Sequence, residues 1–160
     1  MNKLQDFFIK TVLLLSQKSN CVSKKVGAII VKDNRIISMG YNGTPSGFEN
    51  CNKHFDENNF NREEHHIWSN TYESHAELSC LLFAVKSGIN ISNSEMYVTM
   101  HPCDQCIKNI IQSGIRKIYY LYQYDKSIPG NELLKIIEIE CLLTPEIENF
   151  IIINELKKLH

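Results

Sequence analysis

No run in these 160 residues is apolar for long enough to span a bilayer, and the first residues lack the basic, apolar and small-residue order of a secretory leader. Runs of one charge sign are also missing. With 17 basic and 18 acidic residues the formal net charge is -1, which leaves no electrostatic footprint for a nucleic-acid polymer or a membrane surface. A small anionic ligand needs only a local patch and stays compatible. There is no internal repeat and no low-complexity tract, only a bias towards Asn, Ile and Lys. The absence of a leader points to the cytoplasm, where the six cysteines are better read as thiols and metal ligands than as a disulfide framework. Glycosylation-like tripeptides at Asn42 and Asn90 are then chance matches.

The length allows one domain with one core, spanning 1–160. Leu4, Phe8, Val12 and Leu15 recur at helical spacing and predict a first helix to about Gln17. Val26 to Val31 reads as a buried strand, Asp33-Asn34 as a turn, and Arg35 to Tyr41 as the second arm of a hairpin. The segment Gly40 to Gly47 holds three glycines and a proline in eight residues, a density that suits close approach of backbone to a ligand. Residues 49–74 form a polar excursion without a clear period, long enough to be functional and ordered.

Beyond it, Leu78, Leu81, Leu82 and Val85 predict the inward face of a helix closed near Gly88, with Cys80 a small buried side chain. Met96 to Met100 is a strand, Cys103 to Ser113 a helix stopped by Gly114, and Lys117 to Tyr122 a further strand, which makes a parallel crossover. A short helix from Asn131 to about Ile137 and a weaker strand from Glu138 to Leu143 follow, with Cys141 expected in the core. Thr144-Pro145 opens a last helix running to the C-terminus.

Chemistry concentrates between Ser74 and Cys106. His75, Cys103 and Cys106 supply three ligands suited to a catalytic zinc that keeps a fourth position for water. Glu77 is left over, and beside that water it can carry protons without being a ligand. A Cys-x-x-C alone could be a structural zinc knuckle or a redox pair. Joined to His-Ala-Glu and preceded by Pro102, it is similar to the pattern of zinc-dependent nucleobase deaminases. Both halves fall at helix starts, where the partial positive charge favours thiolates.

A second cluster is readable from topology. Cys21 precedes the first strand and Cys51 follows the turn after the second, so the outer ends of the hairpin bring them together. His65 and Glu73, in the polar excursion, complete a closed four-ligand zinc site that would order a loop poor in apolar residues. The plainer alternative leaves Cys21 and Cys51 as ordinary thiols beside a solvated His-Glu cluster.

From Cys21 to Asp125 the chain resembles the deoxycytidylate (dCMP) deaminase family, especially its bacteriophage branch. The likeness rests on Val26-Gly27-Ala28, Gly40-Tyr41-Asn42-Gly43, His75-Ala76-Glu77-Leu78, Met96-Tyr97-Val98-Thr99, Pro102-Cys103-x-x-Cys106, Gln112-Ser113-Gly114-Ile115 and Tyr124-Asp125. The resemblance implies a three-layer α/β/α fold around a mixed five-stranded sheet, and hydrolysis of dCMP to dUMP on the way to thymidylate. It implies a substrate site formed by Val26, Asn42, Ala76, Thr99, Pro102 and Tyr124, with Asn42 reaching the sugar hydroxyl or a phosphate. Activation by dCTP and inhibition by dTTP, with Mg2+ accompanying the effector, would use Gly40, Tyr41, Asn42 and Gly43 near a subunit interface of a homo-oligomer, commonly a hexamer. Phage-type relatives also carry the second zinc, with His66 the alternate histidine. Many relatives place an arginine shortly after the position of Cys21, where this chain has Ser23-Lys24-Lys25; Lys25 is the stand-in, a point charge without the bidentate fork. Rival readings are a dCTP or dual deaminase, an adenine deaminase of transfer RNA, which the missing basic stripe disfavours, and a non-catalytic nucleotide-binding zinc protein, which Glu77 disfavours.

Overall fold

The computed structural model of the chain describes residues 1–124, 131–156 and Leu159. Its strands are β1 Gly27–Lys32, β2 Arg35–Tyr41, β3 Glu95–Met100, β4 Lys117–Tyr122 and β5 Glu138–Cys141, in the sheet order β2-β1-β3-β4-β5. The first two pairings are antiparallel and the last two parallel, so the sheet is mixed. Asp33 and Asn34 turn the hairpin with φ of 49° and 60°, the left-handed pair that a two-residue connection demands.

The helices are α1 Lys3–Ser16, α2 Cys51–His54, α3 Arg62–Tyr72, α4 Ala76–Lys86, α5 Asp104–Gln112 and α6 Pro145–Ile153. Alternation along the central strands splits the core in two. Ala28, Ile30, Met96, Val98 and Ile118 face α4 and α5, while Ile29, Val31, Tyr97, Tyr119 and Leu121 face α1 and α6. Helices therefore cover both faces, the three-layer α/β/α arrangement that the resemblance implied, and β1 reads as an unbroken apolar run because both of its faces are buried. Each such fully buried Ile, Leu or Val contributes about 1.5–3 kcal/mol.

Several elements depart from the sequence expectations. The buried face of α4 is Ala76, Glu77, Cys80, Leu81 and Ala84, whereas Leu82 and Val85 are 53% and 71% exposed. Small residues face inward because α4 lies directly on β2: a Cβ on Gly40 would meet the Cys80 nitrogen at 2.5 Å and the Ala76 carbonyl oxygen at 2.8 Å. Ser38 seals the same contact by donating to the Cys80 carbonyl at 2.7 Å. Gly40 thus serves helix packing. Cys141 is exposed and not in the core, because β5 is an edge strand whose side chains are mostly solvated. The expected Asn131–Ile137 helix is a single 3-10 turn, Glu132–Lys135. The last helix, capped by Thr144 with Pro145 in its first turn, ends at Ile153 rather than running on, and Glu155 turns the chain at φ 50°.

The polar excursion holds two helices that its composition hid. Asn61 caps α3 by accepting from the Glu63 and Glu64 amides at 2.9 and 3.1 Å, and those glutamates complement the positive end of the helix. A satellite core of Cys21, Val22 and Cys51 with Phe55, Phe60 and Trp68 lies beneath, and His65 packs edge-on against Phe55. Only His65 of α3 is buried, so amphipathic periodicity had almost nothing to act on.

Candidate active site and metal clusters

His75 is the N-cap of α4 and Cys103 the N-cap of α5, and neither makes a capping hydrogen bond with its side chain. Both are therefore free to face each other across the C-terminal end of β3. The Cys103 and Cys106 sulfurs stand 3.5 and 3.4 Å from His75 Nδ1. Zinc bonds of about 2.3 Å to sulfur and about 2.0–2.1 Å to nitrogen, set at a tetrahedral angle, separate S from N by about 3.5 Å. The spacing fits that metal. Without it the three groups share protons: Cys106, pushed up by its hydrogen bond to Cys103 and by burial, retains its proton, and that bond draws Cys103 down to about 4. The Cys103 sulfur in turn raises His75 to about 9.

Glu77, in the first turn of α4, is 4% exposed. Burial pushes its carboxyl above the ordinary range, while the field of His75 and its own backbone N–H act against this. It borders the Cys106 thiol but lies outside the three-ligand group. A buried carboxyl shifted upward beside an open-sided ligand set is an arrangement for proton transfer.

The second cluster gathers Cys21, Cys51, His65 and Glu73, whose ligand atoms all lie within 4.8 Å of one another. His65 Nε2 stands 3.5 Å from the Cys21 sulfur and 3.4 Å from the Cys51 sulfur, again the tetrahedral spacing. Cys51 is pushed up by its bond to Cys21 and by burial, and the same bond brings Cys21 down to about 5 with help from the Lys24 and Ser23 amides. Burial raises Glu73 to about 7, and its Oε1 is buried with no hydrogen-bond partner. A buried carboxyl gathered with two thiols and an imidazole, one of its oxygens without a partner, fits the donor set of a closed zinc site. His65 supplies the nitrogen, and His66 is exposed with Asn70 beside it at 3.2 Å.

The clusters are neighbours through one residue. Ser74, between Glu73 and His75, exchanges two backbone hydrogen bonds with Gly43, at 3.1 and 2.8 Å. Both clusters open on one cavity of about 730 Å³.

Of the residues expected to hold substrate, Val26, Asn42, Ala76 and Tyr124 line this cavity. Asn42 clamps the approach to β1, its Oδ1 accepting from the Val26 amide at 2.8 Å and its Nδ2 donating to the Lys24 carbonyl at 2.9 Å, which leaves one donor and one lone pair. Thr99 and Pro102 do not line it: Thr99 is fully buried and accepts from the Gly27 amide at 3.2 Å, which fixes β1 against β3. Lys25 is also not in the lining, because its ammonium is bound to the Ser19 carbonyl; Lys24 takes the cavity position. Gly40, Tyr41 and Gly43 are not in its lining, and Asp125 falls outside the described residues. Sequence reasoning missed His101, buried at the cavity edge with its ring against Tyr120, and Arg62 on the hidden helix α3. His101, immediately before Pro102-Cys103, had a positional signal; Arg62 had none without α3.

The model of the cytidine and deoxycytidylate deaminase zinc-binding region matches residues 1–122, and the chain belongs to that family of hydrolytic deaminases. Its relatives are more particular. Deoxycytidylate deaminase of Enterobacteria phage T4 is 37% identical over 170 residues, covering 86% of this chain and 88% of its own. The phage T2 enzyme is 38% identical, covering 87% and 91%. The crystal structure of dCMP deaminase from cyanophage S-TIM5 in complex with dCMP and dUMP superposes with a TM-score of 0.73 at 36% identity, over 89% of this chain and 99% of that one. Among the described residues no helix is long and apolar enough to cross a membrane.

Proposed function

We propose that this chain hydrolyses dCMP to dUMP and ammonia, as one deaminase domain. The observation that carries the reading is Glu77, buried beside the His75, Cys103 and Cys106 group without belonging to it, at the floor of a cavity roomy enough for a nucleotide. His75, Cys103 and Cys106 would hold the catalytic zinc, which when bound supplies an activated water at neutral pH. Glu77 accepts the proton of that nucleophile, gives it to the ring nitrogen beside the amino-bearing carbon, and carries a second proton to the departing amine. One C–O bond forms, one C–N bond breaks, and ammonia leaves. Val26, Asn42, Ala76 and Tyr124 flank the base and sugar. The T4, T2 and S-TIM5 relatives support dCMP as substrate.

Cys21, Cys51, His65 and Glu73 hold a second, structural zinc in this reading, supported by the closed donor set and the orphaned Glu73 oxygen. The enzyme works in the cytoplasm, of the host if the chain is viral, supplying dUMP for thymidylate. It does so as a homo-oligomer, a hexamer, activated by dCTP and inhibited by dTTP with Mg2+ at the segment Gly40, Tyr41, Asn42 and Gly43. Exposed Leu82 and Val85, one turn apart on α4, offer apolar surface for subunit contact. Ammonia release from dCMP, dCTP, deoxycytidine and cytosine by zinc-loaded protein tests the activity: dCMP should lead, and preference for any other substrate overturns the assignment. Regulation is tested by the dCMP saturation curve, sigmoidal alone and hyperbolic with dCTP; a hyperbola indifferent to both effectors refutes it.

A further inference from the structure

Of all the asparagines in the sequence, only Asn42 precedes a glycine. Asparagine is a labile residue, and a following glycine, with no Cβ, crowds least when its nitrogen turns on the asparagine side chain. In that reaction the Gly43 nitrogen gives up its proton to water and attacks Asn42 Cγ. A new C–N bond forms, the Cγ–Nδ2 bond breaks, and Nδ2 leaves as ammonia with a proton returned from water. Water then opens the cyclic imide on one side or the other, leaving aspartate or isoaspartate. No oxidant, reductant or cofactor takes part.

Both reacting groups are held in this fold. Asn42 Oδ1 accepts from the Val26 amide at 2.8 Å, and its Nδ2 donates to the Lys24 carbonyl at 2.9 Å. The Gly43 amide donates to the Ser74 carbonyl at 3.1 Å. The Asn42 carbonyl, in the same peptide unit, accepts from Ser19 Oγ at 2.8 Å. Ring closure must release the Gly43 nitrogen and free the carboxamide, so it requires local opening. Asn42 lines the cavity, where solvent can reach the imide.

The lock turns on Ser74. It stands between Glu73 of the four-ligand cluster and His75 of the three-ligand group, so metal in both clusters would pin it from both sides. We propose that Asn42-Gly43 is a latent self-modification site, closed while Ser74 is pinned and opened when the Cys21, Cys51, His65 and Glu73 cluster loses its metal. Aspartate there would set a carboxylate oxygen against the Lys24 carbonyl in place of the Nδ2 donor, and isoaspartate would add a methylene to the backbone. Either product unlatches the residue that flanks the sugar in the dCMP reading, and that consequence rests on the reading.

The test ages four samples side by side in mildly alkaline buffer: zinc-loaded wild type, chelator-stripped wild type, zinc-loaded Cys51→Ser, and a free peptide spanning residues 39–46. Peptide mapping by mass spectrometry follows conversion at Asn42, enzymatic carboxyl methylation detects isoaspartate, and elemental analysis fixes the metal content. With three net hydrogen bonds to open, the loaded wild type should convert about 10- to 10³-fold more slowly than the peptide. Stripped wild type and Cys51→Ser, each checked for fold by circular dichroism, should convert at least about 5-fold faster than the loaded wild type, the worth of one lost hydrogen bond. Stripped Gly43→Ala should stay unmodified. Affinity for dUMP, measured by calorimetry, should fall in step with conversion. A loaded wild type that converts as fast as the peptide overturns the lock. Equal rates in loaded wild type and a folded Cys51→Ser that has lost one zinc overturn its dependence on the cluster. Conversion is read without turnover, so a wild type inactive on dCMP overturns the substrate reading and not this one.

Discussion

Gly40→Ala perturbs the site through packing alone. The added methyl would meet the Cys80 nitrogen at 2.5 Å, the Ala76 carbonyl oxygen at 2.8 Å and the Cys80 Cα at 3.0 Å, all backbone atoms of α4 that cannot rotate aside. The helix must therefore lift off β2. Overpacking of this kind costs about 1–3 kcal/mol, and a chain of this size loses roughly 2–4 °C of melting temperature per kcal/mol, so the zinc-loaded variant should melt about 2–12 °C below wild type. Because α4 begins beside His75 and carries Glu77, kcat should fall as well, even where metal content is kept. Gly43→Ala is the control: its Cβ would meet nothing within 4 Å, and stability should stay within about 0.5 kcal/mol. Thermal melts followed by circular dichroism decide the matter. A Gly40→Ala protein that melts with the wild type would refute the close contact of β2 and α4 as the reason for glycine here.

Further expectations concern the second cluster. Cys51→Ser should lower zinc from two to one per chain by elemental analysis and expose α3 to proteolysis, because the satellite core around Cys21, Cys51 and His65 loses its centre; a well-folded wild type with one zinc would refute the site. Metal binding there should release protons that depend on pH. Glu73, raised to about 7, and Cys51 both give one up below that pH, whereas above it Glu73 is already ionised. Calorimetry in buffers of different ionisation enthalpy should therefore find release falling by about 0.8 proton between pH 6 and pH 8, with affinity rising; constant release would contradict Glu73 as a ligand.

The legible parts of this chain were those with a periodic or chemical signal. The apolar run of β1, the strand β3, the Asp33-Asn34 turn, and Gly88 and Gly114 as helix stops at φ 65° and 90° could be read directly. So could the metal-type ligands in large part: Cys-x-x-C and His-x-Glu mark the first group, and the hairpin brings Cys21 to Cys51 in the second, whose His65 and Glu73 rested on the resemblance to phage-type relatives. What stayed hidden lacked such a signal. Helix α3 buries one residue and is ordered by its cap and an aromatic cage, contacts made at long range. On α4 the largest apolar residues face outward, because Gly40 draws the small ones against the sheet, which reverses the usual inference from hydrophobicity to burial. Lys24 and Lys25 are indistinguishable in sequence; which one reaches the cavity depends on the turn around the Cys21 sulfur.

The central claim is a division of labour in which His75, Cys103 and Cys106 hold the metal and Glu77 moves the protons. Its most direct measurement is dCMP turnover by Glu77→Gln beside wild type at matched zinc content. The amide keeps the shape of the side chain, and the group it replaces is not a ligand, so zinc and dUMP binding should be retained while kcat falls by about 10²-fold or more. Loss of zinc from the variant, or turnover near wild type with zinc in place, would contradict the account.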